Sequence, residues 1–453
     1  PGFKTTGGPG GRGPPPRNLR GNPRLPLRVI FSRRFGPPSL QYALFPGNPV
    51  TRFDSISLRG NTRDNFGNDL NGTCIRDQWT KRLQADMGAP ASSGRFVHVF
   101  INGLYWGIYN PTERPDGDFC QEHFGGDADE WDSITLCCPN RVKSGTNEKW
   151  QELLTLATQG FETDAKFQRI LGNNPDGTRN PAYEILLDLD NFITFIVGGY
   201  YHASGDWPGN FYAMRRRGPQ STGFKFITWD SDIGLGWGNV NADKTVGDAT
   251  GWWSNSPGQI ELALRAHPEY RMRVADAVQR HYFNGGACTP ARPAARRAGN
   301  AAALEPAMGA GCARWGDYRS PSGTLTRWRS NRDSYLTGWF PNRTSIVLNQ
   351  LRARGLFPTV NAPALNQHGG AAAPGFALTM SGSGTLYYTL DGTDPRLWGG
   401  AVKAGLVPYG APVTLSSTTT VKARGLSGSV WSALTAATFL ISPPASAANR
   451  VIS

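Results

Sequence analysis

Residues 188–237, DLDNFITFIVGGYYHASGDWPGNFYAMRRRGPQSTGFKFITWDSDIGLGW, constrain the fold more than any other stretch. The preceding residues from Pro181 and the run Leu189, Phe192, Ile193, Phe195 and Ile196 are apolar nearly all round a helical turn. That pattern predicts a buried helix beginning at Pro181, weakened at its end by Gly198-Gly199. A polar loop carrying Asp206 and Asn210 follows, then a hairpin whose second strand holds Phe224, Phe226, Ile227 and Trp229. Asp230 and Asp232 sit on the turn directly after it. Loops that deliver acids and amides from a stiff apolar scaffold are a common way to build a site.

The rest of the chain is too long to share one core with that block: 453 residues imply two domains. Residues 1–24 are rich in Gly and Pro and read as a flexible arm. A larger domain covers 25–356. In it, Phe53–Arg59 alternates as a half-buried strand, and Ile75, Trp79, Leu83 and Met87 recur every four residues as one helical face. Phe96–Ile101 and Leu104–Tyr109 flank Asn102-Gly103, the signature of a two-residue hairpin turn. His98 alternates within the first of those strands and reads as structural. Residues 147–171 read as helical, Glu261–Phe283 as a helix pair, 285–313 as a mobile Ala/Gly/Pro/Arg loop, and Thr324–Leu356 as a long helix split near Pro341. Residues 357–372 are a turn-rich linker. The stretch 373–445 shifts to Thr, Ser, Val and Gly in short strands (LYYTLDGT, APVTL, TTVKARGL, AATFLIS) and predicts a small all-β, immunoglobulin-like sandwich. The fold class is therefore α+β.

The formal charge of +13 is read as a basic surface or as attraction to an anion. No helix-turn-helix, RNA-recognition or zinc-finger pattern accompanies it, which argues against nucleic acid. No apolar run is long enough to span a bilayer. The chain starts at Pro1 without a Met, so the lack of a visible signal segment decides nothing. Of six cysteines none forms a CxxC pair. Cys288 and Cys312 bracket the Ala-rich loop, and Cys120 lies within reach of Cys137 or Cys138, so disulfides and an oxidising compartment are expected.

Phosphoryl transfer asks little covalent chemistry of a protein: a carboxylate to orient the hydroxyl, an acid and an amide to hold divalent metal, and cations on the phosphates. Asp206 with Asn210 fits the first requirement and part of the second, and Asp230 with Asp232 completes a hard oxygen set suited to magnesium or manganese. Five segments in order, LRGN (58–61), HVFINGLYWGIYNPTERPD (98–116), DLDNF (188–192), GDWPGNFY (205–212) and FKFITWDSDIGLGW (224–237), resemble the spore-coat-protein-H (CotH) kinase family. The resemblance implies an atypical, reduced protein-kinase-like fold that uses ATP with Mg2+ or Mn2+. It implies phosphorylation of Ser or Thr on a surface or secreted protein, and a bacterial extracellular or cell-surface location. Carried over by motif, Asp206 is the catalytic residue and Asn210, Asp230 and Asp232 are metal ligands. Where the family carries a Lys-rich strand after RGN, this chain has no Lys until Lys81. Arg59 and Lys81, with Arg63 and Arg76 as further options, are the phosphate candidates, and Glu113 is read as a partner for such a cation or as a capping carboxylate. The tail resembles the carboxyl-terminal β-sandwich of chitobiases and hexosaminidases through LYYTLDGTDPR (386–396) and TVKARGLSGSVWS (420–432). This implies a spacer, a surface-attachment role or glycan contact, with Asp391 and Asp394 shaping a turn. The alternative to a kinase is an inactive, kinase-like structural or adhesive surface protein.

Overall fold

A computed structural model describes residues 2–5, 24–66, 69–135, 140–247, 249–250, 253–318 and 320–442. Helix takes 34% and strand 22%, so the chain is α+β with an all-β carboxyl-terminal region. The helices are α1 (Arg76–Asp86), α2 (Gly117–Phe124), α3 (Glu148–Thr158), α4 (Asp164–Ile170), α5 (Leu189–His202), α6 (Pro257–Leu264), α7 (Pro268–Tyr282), α8 (Ala291–Trp315), α9 (Leu325–Ser334) and α10 (Phe340–Ala353). The chain forms two compact units. The first holds residues 1–267 and 290–347, and the second holds 268–289 and 348–453. Residues 268–289, read from the sequence with the larger domain, fall in the second unit.

The first unit is built on two antiparallel sheets. One has the order β1-β2-β5-β7-β6, with β1 (Gly2–Thr5), β2 (Leu27–Ile30), β5 (Ser55–Arg59), β6 (Val97–Ile101) and β7 (Leu104–Thr112), beside a small pair of β3 (Leu40–Gln41) and β4 (Arg52–Phe53). The other has the order β11-β10-β8-β9, with β8 (Trp131–Thr135), β9 (Arg141–Ser144), β10 (Phe211–Arg216) and β11 (Lys225–Thr228). Part of the expected arm thus becomes an edge strand: Gly2–Thr5 pairs with β2. The hairpin β6–β7 turns at Asn102 (φ 51°) and Gly103 (φ 79°), the two left-handed residues that such a turn needs.

The organising helix starts later than its apolar run implies. Residues 181–188 are tied to the hairpin instead, because Leu187 bridges Phe224 and the Asp188 N–H donates to the Phe224 carbonyl at 3.2 Å. Asp188 then caps α5 by accepting from the Asn191 N–H at 3.1 Å. Strand β11 is an edge, and its backbone is satisfied by side chains. Gln84 accepts from the Thr228 N–H at 2.8 Å and donates to the Phe226 carbonyl at 2.7 Å, while Asn191 accepts from the Phe226 N–H. Helix α1 buries the four-residue stripe read from the sequence, with Trp79 against Tyr201, Trp339 and Phe340. It also buries Asp77, Gln78, Thr80, Lys81 and Gln84, which periodicity alone places on a wet face.

Two expectations are corrected. Residues 291–315 form one helix rather than a mobile loop, with Pro293 in its first turn, where a missing N–H costs nothing. Cys74, Cys120, Cys288 and Cys312 are free thiols. The proposed partners of Cys120, Cys137 and Cys138, lie outside the described residues. The split helix near Pro341 is present as α9, a π-turn at Tyr335–Trp339, and α10.

The second unit contains α7 and the strands β12 (Ala364–Leu365), β13 (Gly370–Ala372), β14 (Phe376–Leu378), β15 (Met380–Ser381), β16 (Thr385–Thr389), β17 (Val413–Leu415), β18 (Thr419–Ser427), β19 (Val430–Trp431) and β20 (Thr435–Ile441). The main sheet runs β13-β20-β18-β16, with short pairs β14-β17 and β12-β15 beside it. Along β20, Thr435, Ala437 and Phe439 are buried and Ala436, Thr438 and Leu440 exposed, the alternation of a half-buried strand. Leu378, Leu386, Leu415, Val421 and Phe439 fill the core.

Candidate active site

Two loops and one strand end converge in the first unit. Helix α5 stops at Ala203 in a left-handed conformation (φ 46°), and the loop that follows carries Asp206. Gly199 makes that exit possible: a Cβ there would sit 2.2 Å from the Trp207 ring. Of the Gly pair that weakens the helix, Gly199 is the space into which the loop packs, while Gly198 faces Met87. Asn210 closes the loop onto the acidic turn. Its amide donates to the Asp206 carboxylate at 3.3 Å and to the Asp230 carbonyl at 3.1 Å. Its amide oxygen has no partner among the described residues. Asp230, separated from the end of β11 by Trp229, holds φ 53°, a conformation uncommon outside Gly and found where structure over-determines the backbone.

Arg59, the last residue of β5, reaches both acids around it. Its guanidinium pairs with the Asp230 carboxylate and, through Nε, with Asp77 at 3.0 Å. Asp77 on α1 also pairs with Lys81 at 2.7 Å and accepts from the Ser231 N–H at 2.9 Å. Asp77 and Lys81 side chains are fully buried, while Asp230 is 42% exposed, so one end of this chain of charges is wet. Trp229 covers the cations, with Lys81 4.4 Å and Arg59 5.4 Å from its ring centre. Burial alone would raise the Asp77 carboxyl, but Arg59 and Lys81 outweigh it and hold it at about 2. Burial would lower Arg59, yet Asp230, Asp77 and Asp232 keep it above its usual value. Burial pushes the Lys81 ammonium down, with Asp77 opposing and Arg59 reinforcing the shift. Asp206 is raised by burial and then by the charge of Asp230.

The structure separates the other candidates. Asp232 is buried, accepts from the Arg63 N–H at 2.9 Å, and is pushed up to about 8 by burial and then by Asp230. Arg63 is exposed, and its charge acts on Asp206. Arg76 is fully buried, 3.5 Å from both Asp64 and Asp69, and bonded to the Asp232 and Asn71 carbonyls; it fastens the loop rather than facing a ligand. Glu113 does not partner Arg59 or Lys81. It accepts from the Ser93 N–H at 2.7 Å and bonds His123 at 2.8 Å, which ties the end of β7 to the segment before β6 and to the last turn of α2. The carboxylate between the cations is Asp77, which the sequence reading missed. Its signal was the acid and base four residues apart, Asp77 and Lys81, around a core Trp.

Among the described residues, the one set of three acids whose oxygens all lie within 4.8 Å of one another is Asp54, Asp116 and Asp118, not Asp206, Asp230 and Asp232. Arg28, Arg52 and Arg114 lie against that set and offset its charge. At the candidate site the donors are the exposed Asp230 carboxylate, the Asn210 amide oxygen and the Asp206 carboxylate. They are hard oxygens, so the residues fit a magnesium or manganese ion that takes its remaining ligands from phosphate.

His202, the last residue of α5, supports the loop and gives a pH prediction. It is buried and accepts from the Ser204 N–H at 3.2 Å. Burial, then Arg343 and Lys244, depress its imidazole from 6.5 to about 3. The unfolded chain therefore takes up a proton below 6.5 that the folded chain refuses until about 3. Stability falls as pH drops through that window. The melting midpoint of the parent is expected to fall more between pH 7 and pH 4 than that of His202→Asn. Parallel decline of both proteins would remove His202 as a cause.

A strand cation tied to a helix carboxylate, a loop Asp with an Asn four residues on, and an acid after the next hairpin define the class: a kinase-like protein. The chain belongs to the CotH kinase protein family, whose model matches residues 18–346. A second model, described as Fn3 associated, matches residues 376–439 and covers most of the β-rich region. No curated protein matches the chain.

Proposed function

We propose that the chain transfers the γ-phosphate of ATP to Ser or Thr of a surface or secreted protein. The observation that carries this reading is the continuous contact Lys81–Asp77–Arg59–Asp230, joined through Asn210 to Asp206. In phosphoryl transfer, a strand Lys held by a helix Glu, a metal-binding Asp, and a catalytic Asp with a nearby Asn recur as one set. Here Arg59 and Asp77 occupy the places of the first pair. Divalent metal, when bound with ATP, neutralises charge on the phosphates. Asp230 and Asn210 would hold that metal, Asp206 would orient the acceptor hydroxyl and take its proton, and Arg59 would bear on the phosphates once Asp230 turns to the metal. An extracellular or cell-surface location is proposed on the strength of the family resemblance, and the sandwich is proposed as a spacer, a surface attachment or a glycan contact.

The test is incorporation of labelled phosphate from ATP with manganese. Replacing Asp206 and Asp230 together by Ala is expected to lower incorporation by about a hundred- to ten-thousandfold. Equal labelling of parent and double variant would refute transfer at this site.

One observation favours the second reading, an inactive structural protein. Arg59 pairs directly with the Asp230 carboxylate, which a metal needs. If that pair is permanent, ATP with magnesium leaves the melting midpoint unchanged; if it yields to the ligand, the midpoint rises by mass action.

A further inference from the structure

Two cations at the edge of the second sheet, Arg141 and Lys143, have no acid paired with them among the described residues, while Arg28 and Arg114 beside them face Asp54 and Asp116. Strand β9 ends the order β11-β10-β8-β9, so its outer backbone faces no strand among the described residues. Its register against β8 slips between Ser133 and Ile134, and Lys143 is the extra residue of the resulting bulge. Bulges at sheet edges re-aim a side chain. Lys143 and Arg141 are both half-buried, and neither side chain has a hydrogen bond or ion pair among the described residues. Arg114 and Arg28 lie beside them. They approach Asp116 at 3.6 and 3.5 Å, and Arg28 also donates to the Ser55 hydroxyl at 2.7 Å and lies 3.9 Å from Asp54; each keeps a buried Nε with no hydrogen-bond partner.

Around Lys143 the charges are unbalanced. Burial, then Arg114, Arg141 and Arg28, push its ammonium down to about 8, and Asp116 opposes them. Asp116 is a poor counter-charge, because burial and the neighbouring Asp54 raise its own carboxyl to about 6. Half-burying like charges costs free energy that an anion would recover. The geometry is held in place as well. Ser144 accepts from the Gly117 N–H at 2.7 Å and Ser133 donates to the Pro115 carbonyl at 2.6 Å, fixing the segment that carries Arg114 against β8 and β9.

The cluster adjoins the candidate active site through one side chain. Tyr212, two residues after Asn210, stacks edge-on to Trp229 with ring centres 5.0 Å apart. Arg114, Asp116, Arg28 and Arg59 all act on its hydroxyl. An anion at Lys143 and Arg141 would thus sit to one side of the place where Arg59 meets Asp230.

We propose that Arg141 and Lys143, backed by Arg114 and Arg28, bind a phosphate-type anion on the acceptor protein, lying along the edge strand β9. This deepens the phosphotransfer reading by assigning the chemistry of the acceptor: a Ser or Thr close to a phosphorylated residue. An extended peptide added to a free edge places its side chains against those of the strand, where opposite charges pair favourably.

The experiment is fluorescence anisotropy on the full chain without nucleotide. The probes are a labelled Gly/Ser peptide carrying two phosphoserines and the same peptide unphosphorylated. Inorganic phosphate and ATP are titrated as competitors, and the variant is Arg141→Gln/Lys143→Gln, whose fold is checked by its melting midpoint. The phosphopeptide is expected to bind the parent at least about tenfold more tightly than its twin and to lose about tenfold or more in the variant. ATP affinity, measured separately, is expected to stay unchanged in the variant. Equal binding of the two peptides would overturn the proposal, as would an unaffected variant. Loss of ATP affinity in the variant, with peptide binding retained, would assign the cations to the nucleotide instead and also overturn it. Because no transfer is measured, an inactive enzyme that still binds the phosphopeptide would count against the phosphotransfer reading alone.

Discussion

Asp77→Asn is expected to lose about 3–5 kcal/mol of unfolding free energy, the cost of leaving buried charge unpaired. The substitution keeps the shape and the acceptor for the Ser231 N–H, but removes the one anion shared by Arg59 and Lys81. Arg59 retains Asp230. Lys81 retains only the Thr112 hydroxyl, 3.1 Å away, and must give up its proton or break the packing around Trp229. The loss is therefore expected to shrink when Lys81→Met is added, since removing both members of a buried pair costs far less than removing one. Chemical denaturation of the two single variants and the double variant measures the coupling. If Asp77→Asn unfolds within about 0.5 kcal/mol of the parent, the assignment of Asp77 as the anion holding the cationic half together is wrong. A third reading comes from ATP: a loosened Arg59 should weaken the nucleotide-dependent rise in melting midpoint even where the protein stays folded.

That centre shows what the sequence could and could not display. Asp206, Asn210 and Asp230 were legible because each sits on a short polar segment against an apolar run, and loop polarity is a local property. Asp77 was not, because RDQWTKRL looks like the charged face of a surface helix. Only the approach of β5, β11 and the acidic turn makes that face an interior. Glu113 failed for the opposite reason. Its position after the hairpin suggested a cation partner, but the chain entering at Ser93 and the helix bearing His123 reach it first.

The same contrast holds for the fold. The β6–β7 hairpin was legible from Asn102-Gly103, since the turn needs left-handed backbone that few residues accept. Helix α8 was misread because Gly and Pro were weighed as breakers. Its buried residues Pro293, Arg297, Ala301, Leu304, Met308 and Trp315 recur at steps of three, four or seven, which is a helical stripe. Period outweighs composition in an Ala-rich segment, where Ala itself favours helix. The start of α5 was placed too early because apolar content continued upstream, whereas the cap at Asp188 and the bridge from Leu187 to Phe224 set the boundary.

Arg424→Ala is expected to cost the second unit about 3 kcal/mol or more, because one guanidinium there serves two acids. Arg424 on β18 is 1% exposed and bonds Asp394 at 2.8 and 2.6 Å and Asp276 of α7 at 2.8 and 2.6 Å. Asp276 also accepts from the Leu434 N–H at 2.8 Å, so the helix is pinned to the sheet through a single carboxylate. A second pair, Arg396 with Glu269 at 2.8 and 2.7 Å, fastens the first turn of α7. These bonds explain why residues 268–289 join the sandwich although some sixty residues separate them from its first linker in the chain. Asp394, expected to shape a turn, does so by accepting from the Arg396 N–H at 2.9 Å, and it anchors Arg424 as well. Asp394→Ala should cost less than Arg424→Ala, because Asp276 still neutralises the cation. Hydrogen exchange of α7 amides reads the outcome locally: exchange should accelerate in Arg424→Ala and much less in Asp394→Ala. Unchanged protection of α7 in Arg424→Ala would mean that apolar packing, and not this charge centre, holds the helix to the sheet.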